Sequence, residues 1–279
     1  MKQHIPTRIP TIGVFDSGVG GLTVLGALLT QASAADYLYL GDTARLPYGS
    51  KSRETVARYA VSSAHFLVEQ GAEALLIACN TASALALDAL RAAVEVPVIG
   101  VIETGATAAL QSSQTKDVMV IATAATVESH AYSAACRERG LRAIEKACPL
   151  LVPLVEEGWI EHPVTREVAA IYLNDLLTQS AAAGMTADTL VLGCTHYPLL
   201  RPVIEETLHQ HDEGQKIRVI DSAHVTAEQV AARLGLDDGA GHEPEVRFYA
   251  TDSVAKFRTL GTRFLGRSID GVELIDLGG

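Results

Sequence analysis

Two cysteines stand in matching surroundings. Ala78-Cys79-Asn80-Thr81 follows the apolar run 74–77, and Gly193-Cys194-Thr195-His196 follows the apolar run 190–192. Each reads as a buried parallel strand that ends in a thiol and then in small hydroxyl, amide or imidazole side chains. Open α/β sheets bind ligands beyond the carboxyl ends of their strands. One such cysteine points to a nucleophile. Two in like settings point to a pair of thiols facing one substrate from opposite sides. That geometry suits removing a proton from one face of a carbon and returning it to the other. A thiol with an ordinary pKa of about 8.5 can act as base in one form and acid in the other. Either cysteine alone reads equally well as a small core hydrophobe, because Cys is among the most buried residue types. The position at strand ends separates these two from Cys136 and Cys148, which read as structural.

Other segments carry side chains at comparable places. Phe15-Asp16-Ser17-Gly18-Val19-Gly20-Gly21 reads as a strand, a glycine-rich turn and a helix start, where backbone N–H groups face an anion. A dinucleotide fingerprint with Asp42 as its ribose acid fails on spacing, since Thr23 occupies the third glycine position. The remaining alternative is a tight turn that needs glycine at positive φ; it leaves Asp16 and Ser17 at the strand end unexplained. The stretch 41–49, with Asp42, Tyr48 and Gly49, is a loop that alone reads as a surface turn. His196 either tunes the Cys194 thiol or caps the next helix. Glu156, in Val152-Pro153-Leu154-Val155-Glu156-Glu157-Gly158, is a helix-end acid with an apolar approach that allows partial burial.

These residues need a scaffold, and the chain is built to supply one. Its 279 residues, 48% hydrophobic, suffice for two domains of about 100–200 residues each. Short apolar strands alternate with helical stretches throughout, which predicts an α/β fold with parallel sheets. Strands are expected at 11–15, 37–40, 73–78, 96–101, 118–122, 189–192, 216–220, 246–249 and 272–275. Helices are expected at 20–30, 54–70 (stopped by Gly71), 82–94 and 166–183, and a surface linker at 237–242. No apolar run approaches the roughly 20 residues of a membrane span, and residues 1–10 lack the apolar core of a signal peptide. A net charge of −11 argues against nucleic acid or an anionic membrane as the partner. Four cysteines and no export signal point to free thiols in a reducing cytoplasm. Metal-ligand spacing is absent apart from Cys194-Thr195-His196, too close to supply a structural zinc site alone, and none of the six lysines sits where a Schiff base is expected.

Taken together, GVFDSGVGGLTV (13–24), GDTARLPYGSKS (41–52), ACNTASA (78–84), Thr-x-x-Thr-Val-x-Ser (123–129), VPLVEEG (152–158) and GCTHYPLL (193–200) identify a family. The chain resembles the cofactor-independent glutamate racemases of the wider aspartate/glutamate racemase superfamily over about 13–264. The resemblance implies two similar α/β domains with mostly parallel sheets related by a pseudo-twofold, and an active site in the cleft between them. The first domain would comprise 1–99 plus 211–279, the second 100–210. Cys79 and Cys194 would be the acid/base thiols, Asp16 supporting the first, and His196 and Glu156 the second. Asp16, Ser17, Tyr48, Gly49, Asn80, Thr81, Thr123, Thr126, Thr195 and His196 would hold glutamate. No cofactor or metal is implied; a homodimer is. The residue patterns leave three rivals open: an aspartate racemase or single-cysteine decarboxylase of the same superfamily, a non-catalytic binding protein for small acids, and a redox switch pairing Cys79 with Cys194.

Overall fold

The computed structural model describes residues 9–210, 217–236 and 242–278. The expected linker at 237–242 falls, except for His242, outside them. The chain opens as β1 (Thr11–Asp16), α1 (Leu22–Gln31), β2 (Asp36–Gly41), α2 (Arg53–Glu69), β3 (Ala74–Ile77), α3 (Asn80–Ala93) and β4 (Val98–Gly100). It continues as α4 (Val101–Ser112), β5 (Asp117–Ala122), α5 (Ala124–Glu128), α6 (Ala131–Glu138), β6 (Arg142–Ala147), α7 (Leu151–Glu156), α8 (Pro163–Ala182), β7 (Thr189–Gly193), α9 (Arg201–His209) and β8 (Arg218–Asp221). It closes as α10 (Ser222–Leu234), β9 (Val246–Ala250), α11 (Val254–Leu265) and β10 (Val272–Leu274).

Among the described residues every strand pairing is parallel. A six-stranded sheet runs β10-β9-β2-β1-β3-β4, and a four-stranded sheet runs β6-β5-β7-β8. The central order recurs: β2-β1-β3-β4 in one sheet, β6-β5-β7-β8 in the other. Cys79 follows β3 and Cys194 follows β7, so the two cysteines occupy equivalent points of one repeated plan. Buried parallel strands must be apolar on both faces. Ala74–Ile77 meets that demand along its whole length, and Thr189–Gly193 is buried throughout with only Thr189 polar.

The expected return to the first domain at 211 is corrected by β8. Leu190 pairs with Val219 and Leu192 with Asp221, so this strand completes the second sheet and the crossing back follows it. α10 then packs against both α1 and α4 and joins the two units through a shared core. The strand β6 was not legible. Its sequence, Arg142-Ala143-Ile144-Glu145-Lys146-Ala147, mixes three charged with three apolar residues in no period of two, and the strand lies at the edge of its sheet, nowhere fully buried. α3 starts at Asn80, two residues earlier than expected, because Cys79 itself caps it. Among the described residues no helix is long and apolar enough to cross a membrane.

Helix ends obey local chemistry. Ser52 Oγ accepts the Thr55 N–H at 3.3 Å to start α2. Gly71, at φ +100° with open space around it, ends the same helix. Because only backbone strain opposes a side chain there, Gly71→Ala should lower stability by about 1–2 kcal/mol. Thermal unfolding measures it, and an unchanged midpoint would contradict the account.

Candidate functional site

Cys79 and Cys194 line one cavity of about 370 Å³ between the two units. Ser17, Tyr48, Gly49, Asn80 and Thr81 reach it from the first unit. Thr123, Glu156, Thr195 and His196 reach it from the second. The sequence reading did not assign Gly18, Leu46, Pro47, Ser50, Ala124, Pro149, Val152 and Pro153 to the site, and they complete the wall. Most of them belong to stretches already singled out. Pro149 was hidden because β6, whose carboxyl end it follows, was not recognised.

Cys79 is the N-cap of α3. Its Sγ accepts the Ala82 N–H at 3.4 Å, and its S–H donates to Ser17 Oγ at 3.5 Å. A helix N-terminus favours a thiolate. Burial and the Asp16 carboxylate outweigh that help and push the Cys79 thiol up to about 12. Asp16 ends β1 and is only 1% exposed, behind the cavity wall and not on it. Its Oδ2 accepts the Gly18 N–H at 2.8 Å, while Oδ1 is buried without a hydrogen-bond partner. Burial raises its pKa against the pull of His196 and the turn's N–H groups.

The glycine-rich turn is therefore occupied by the chain's own carboxylate. The N–H groups of Leu22 and Thr23 close back on the Val19 and Gly20 carbonyls, both at 3.1 Å. Gly18, Gly20 and Gly21 do not take the positive φ that a tight turn left open. The requirement is space: a Cβ on Gly20 would lie 2.3 Å from Thr195 Oγ1 and 2.8 Å from His196 Nδ1. At Gly49 a Cβ would lie 2.9 Å from Thr123 Cβ. Both glycines sit where one unit touches the other.

Cys194 is followed by its supporting groups. Its Sγ lies 3.9 Å from His196 Nδ1, and His196 Nε2 faces Glu156 Oε1 at 3.3 Å. Burial works against a charged His196, but Cys194 and Glu156 prevail and raise it to about 10. The bond to His196 in turn lowers Glu156, against burial and with help from Lys256. His196 contributes no side-chain cap to the turn Tyr197–Leu200, so that alternative falls away.

The remaining candidates divide by what holds them. Thr81 Oγ1 lies 2.9 Å from Thr123 Oγ1, which lies 2.9 Å from Thr126 Oγ1, a chain of hydroxyls joining the units. Thr126 is fully buried and stands behind the cavity wall. Asn80 Oδ1 accepts from Tyr132 Oη at 2.7 Å, which leaves its amide N–H groups for a ligand. Tyr48 lines the cavity, but its hydroxyl donates to Asp42. Asp42 also receives Arg45 Nε at 2.8 Å and Thr251 Oγ1 at 2.9 Å, so it anchors the 42–50 loop. All four cysteines are free, Cys136 and Cys148 within the cores. Among the described residues no three His, Cys, Asp or Glu side chains converge as metal ligands.

A protein-family model described as Asp/Glu/Hydantoin racemase matches residues 12–230. The glutamate racemase of Koribacter versatilis is 51% identical over 294 residues, covering 97% of this chain and 98% of its own. That of Syntrophus aciditrophicus is 45% identical over 282 residues, covering 99% and 100%. The crystal structure of glutamate racemase from Francisella tularensis in complex with D-glutamate superposes with a TM-score of 0.83 at 34% identity, covering 96% of this chain and 98% of that one.

Because burial and Asp16 hold Cys79 as a thiol up to about pH 12, its alkylation by iodoacetamide should keep accelerating well past the ordinary thiol midpoint of about 8.5. Peptide-resolved mass spectrometry across pH 7–11 (roughly the span of ordinary thiol titration) reads the rate. A plateau near the ordinary midpoint would contradict the electrostatic picture.

Proposed function

The chain belongs to the Asp/Glu/Hydantoin racemase family, and we propose that within it the chain interconverts L- and D-glutamate by proton transfer between two thiols, without a cofactor. The observation that carries this reading is the shared cavity: Cys79 and Cys194 enter it from different units, each past the equivalent strand of its sheet.

In the proposed reaction one cysteine, as thiolate, takes the proton from Cα. The electron pair of that C–H bond moves into the α-carboxylate, which takes enediolate character. The other cysteine, as thiol, gives its proton to the opposite face. The two sulfurs have then exchanged protonation states, which equips the site for the reverse direction. The acidity of Cα must be raised by hydrogen bonds aimed at the carboxylate. Ser17, the Asn80 amide, Thr81, Thr195 and the N–H groups at the start of α3 are the donors at hand. Cys194 serves the L-enantiomer and Cys79 the D-enantiomer, as the family pattern indicates. His196, braced by Glu156, supplies the charge opposite a Cys194 thiolate. Asp16, close behind Cys79, favours its protonated form and so fits it to deliver a proton.

The relatives' names support glutamate over aspartate, and two thiols in one cavity support catalysis over mere binding. On the same reading the product supplies D-glutamate for peptidoglycan in a bacterial cytoplasm, and the chain acts as a homodimer.

Proton NMR in D₂O with L-glutamate and no added cofactor tests the reading. Loss of the Cα–H signal together with D-glutamate formation is expected; exchange with aspartate alone, or with neither acid, would overturn it. Cys79→Ser and Cys194→Ser should each lower racemisation by about a thousandfold, the worth of a positioned acid or base. Retention of full activity in both variants would remove the two-thiol mechanism.

A further inference from the structure

α11 lies between β9 and β10, in the segment that completes the six-stranded sheet, yet it reaches across to the His196–Glu156 pair of the other unit. Arg263 Nη1 donates to the Val155 carbonyl at 3.1 Å and to the Glu156 carbonyl at 3.3 Å. These carbonyls end α7. The Val155 carbonyl also accepts the Gly158 N–H at 3.0 Å, so the guanidinium adds a second donor there, and a cation at a helix end answers the negative end of the dipole. Gly158 follows at φ +80°. A Cβ on it would lie 2.8 Å from Arg263 Nη2 and 3.1 Å from Cζ, so the guanidinium lies against the backbone just past Glu156. The next residue of α11, Phe264, meets the His196 ring edge-on, with centroids 5.1 Å apart and planes at 77°. Consecutive residues of one helix thus hold both partners, Glu156 by its backbone and His196 by its ring.

We infer that Arg263 is a positioning residue for proton transfer at Cys194, acting through Glu156 and His196. It is not among the residues lining the cavity and touches no reacting atom. Its work is to fix the end of a helix of only 6 residues, and with it the carboxylate that faces His196 Nε2 at 3.3 Å. Without the guanidinium the Glu156 carbonyl loses this donor, Glu156 drifts, and the imidazole loses the brace that aims Nδ1 at Cys194. Cys79 bonds instead to Ser17 on the turn of the other unit, so the defect falls first on Cys194.

This inference rests on the two-thiol reading, and the experiment separates their failures. Arg263→Ala and Arg263→Lys are compared with the unaltered protein by circular dichroism assays from each enantiomer, with thermal unfolding alongside. If the unaltered protein fails to racemise glutamate, the functional reading itself is lost. If it is active, Arg263→Ala should lower kcat about tenfold, the worth of a charge-assisted hydrogen bond, with KM changed less than about twofold. Arg263→Lys, which keeps a cation at the helix end, should recover most of that loss. The side-specific readout is the α-deuterium isotope effect on kcat/KM. It should rise for the L-enantiomer, whose proton Cys194 removes, and not for the D-enantiomer. Wild-type kinetics in Arg263→Ala, or an isotope effect that changes equally for both enantiomers, would overturn the assignment.

Discussion

Gly20 stands where a single methyl group would overlap Thr195 and His196. That contact lets the glycine-rich turn of one sheet press against the strand end of the other. Two-sided chemistry at one carbon requires reactive atoms on opposite walls of one small space. A sheet alone offers only one row of strand ends, so a second sheet must present its own row close enough to share a substrate. The repeated strand order provides matching rows. Glycine at positions 20 and 49 provides the approach, and the hydroxyl chain Thr81–Thr123–Thr126 ties the units at the same level.

The two thiols are alike in backbone setting and unlike in electrostatics. Cys79 caps a helix of 14 residues but is enclosed with the Asp16 carboxylate. Cys194 faces an imidazole backed by a carboxylate. Asp16 couples the two sides, since its charge opposes a Cys79 thiolate and supports a charged His196. A buried carboxylate with one unpartnered oxygen costs stability. Its place beside the chemistry is consistent with strain being kept where it regulates protonation.

Much of this was legible in the residues. Both cysteines, Asp16 and the polar residues after the cysteines were singled out because strand ends carry chemistry in parallel sheets, whereas Glu156 read only as a helix-end acid and its place beside Cys194 came from the resemblance. The α/β class followed from the alternation of apolar strands and helices. What escaped was tertiary in origin. The return of the chain after β8 depends on a pairing between Thr189–Gly193 and Arg218–Asp221 that no local pattern encodes. The reason for the glycines was misjudged because a close approach and a positive φ both select glycine, and only the partner surface distinguishes them. Asp16 and Thr126 carry the right chemistry but stand one layer behind the wall, a distinction of depth that spacing cannot reveal. Tyr48 is aimed at Asp42 by a loop whose fold the sequence did not specify.

The unequal settings of the two thiols raise the question of whether the site favours one enantiomer. Mirror-image amino acids have equal free energies in water, so the equilibrium constant of a racemisation is one, and the ratio kcat/KM must be the same in both directions. Asp16, His196 and Glu156 therefore cannot bias the final mixture, however strongly they act. What they can do is divide each ratio differently between binding and turnover. Interactions present equally with the bound substrate and in the transition state lower KM alone, whereas those stronger in the transition state raise kcat. A site that keeps Cys79 protonated at rest is prepared for the enantiomer that Cys194 deprotonates. The other enantiomer must first meet the opposite protonation state, and the cost of reaching it enters that direction's kcat and KM together. Asymmetry in the walls thus sets the shape of each rate curve while thermodynamics fixes the endpoint.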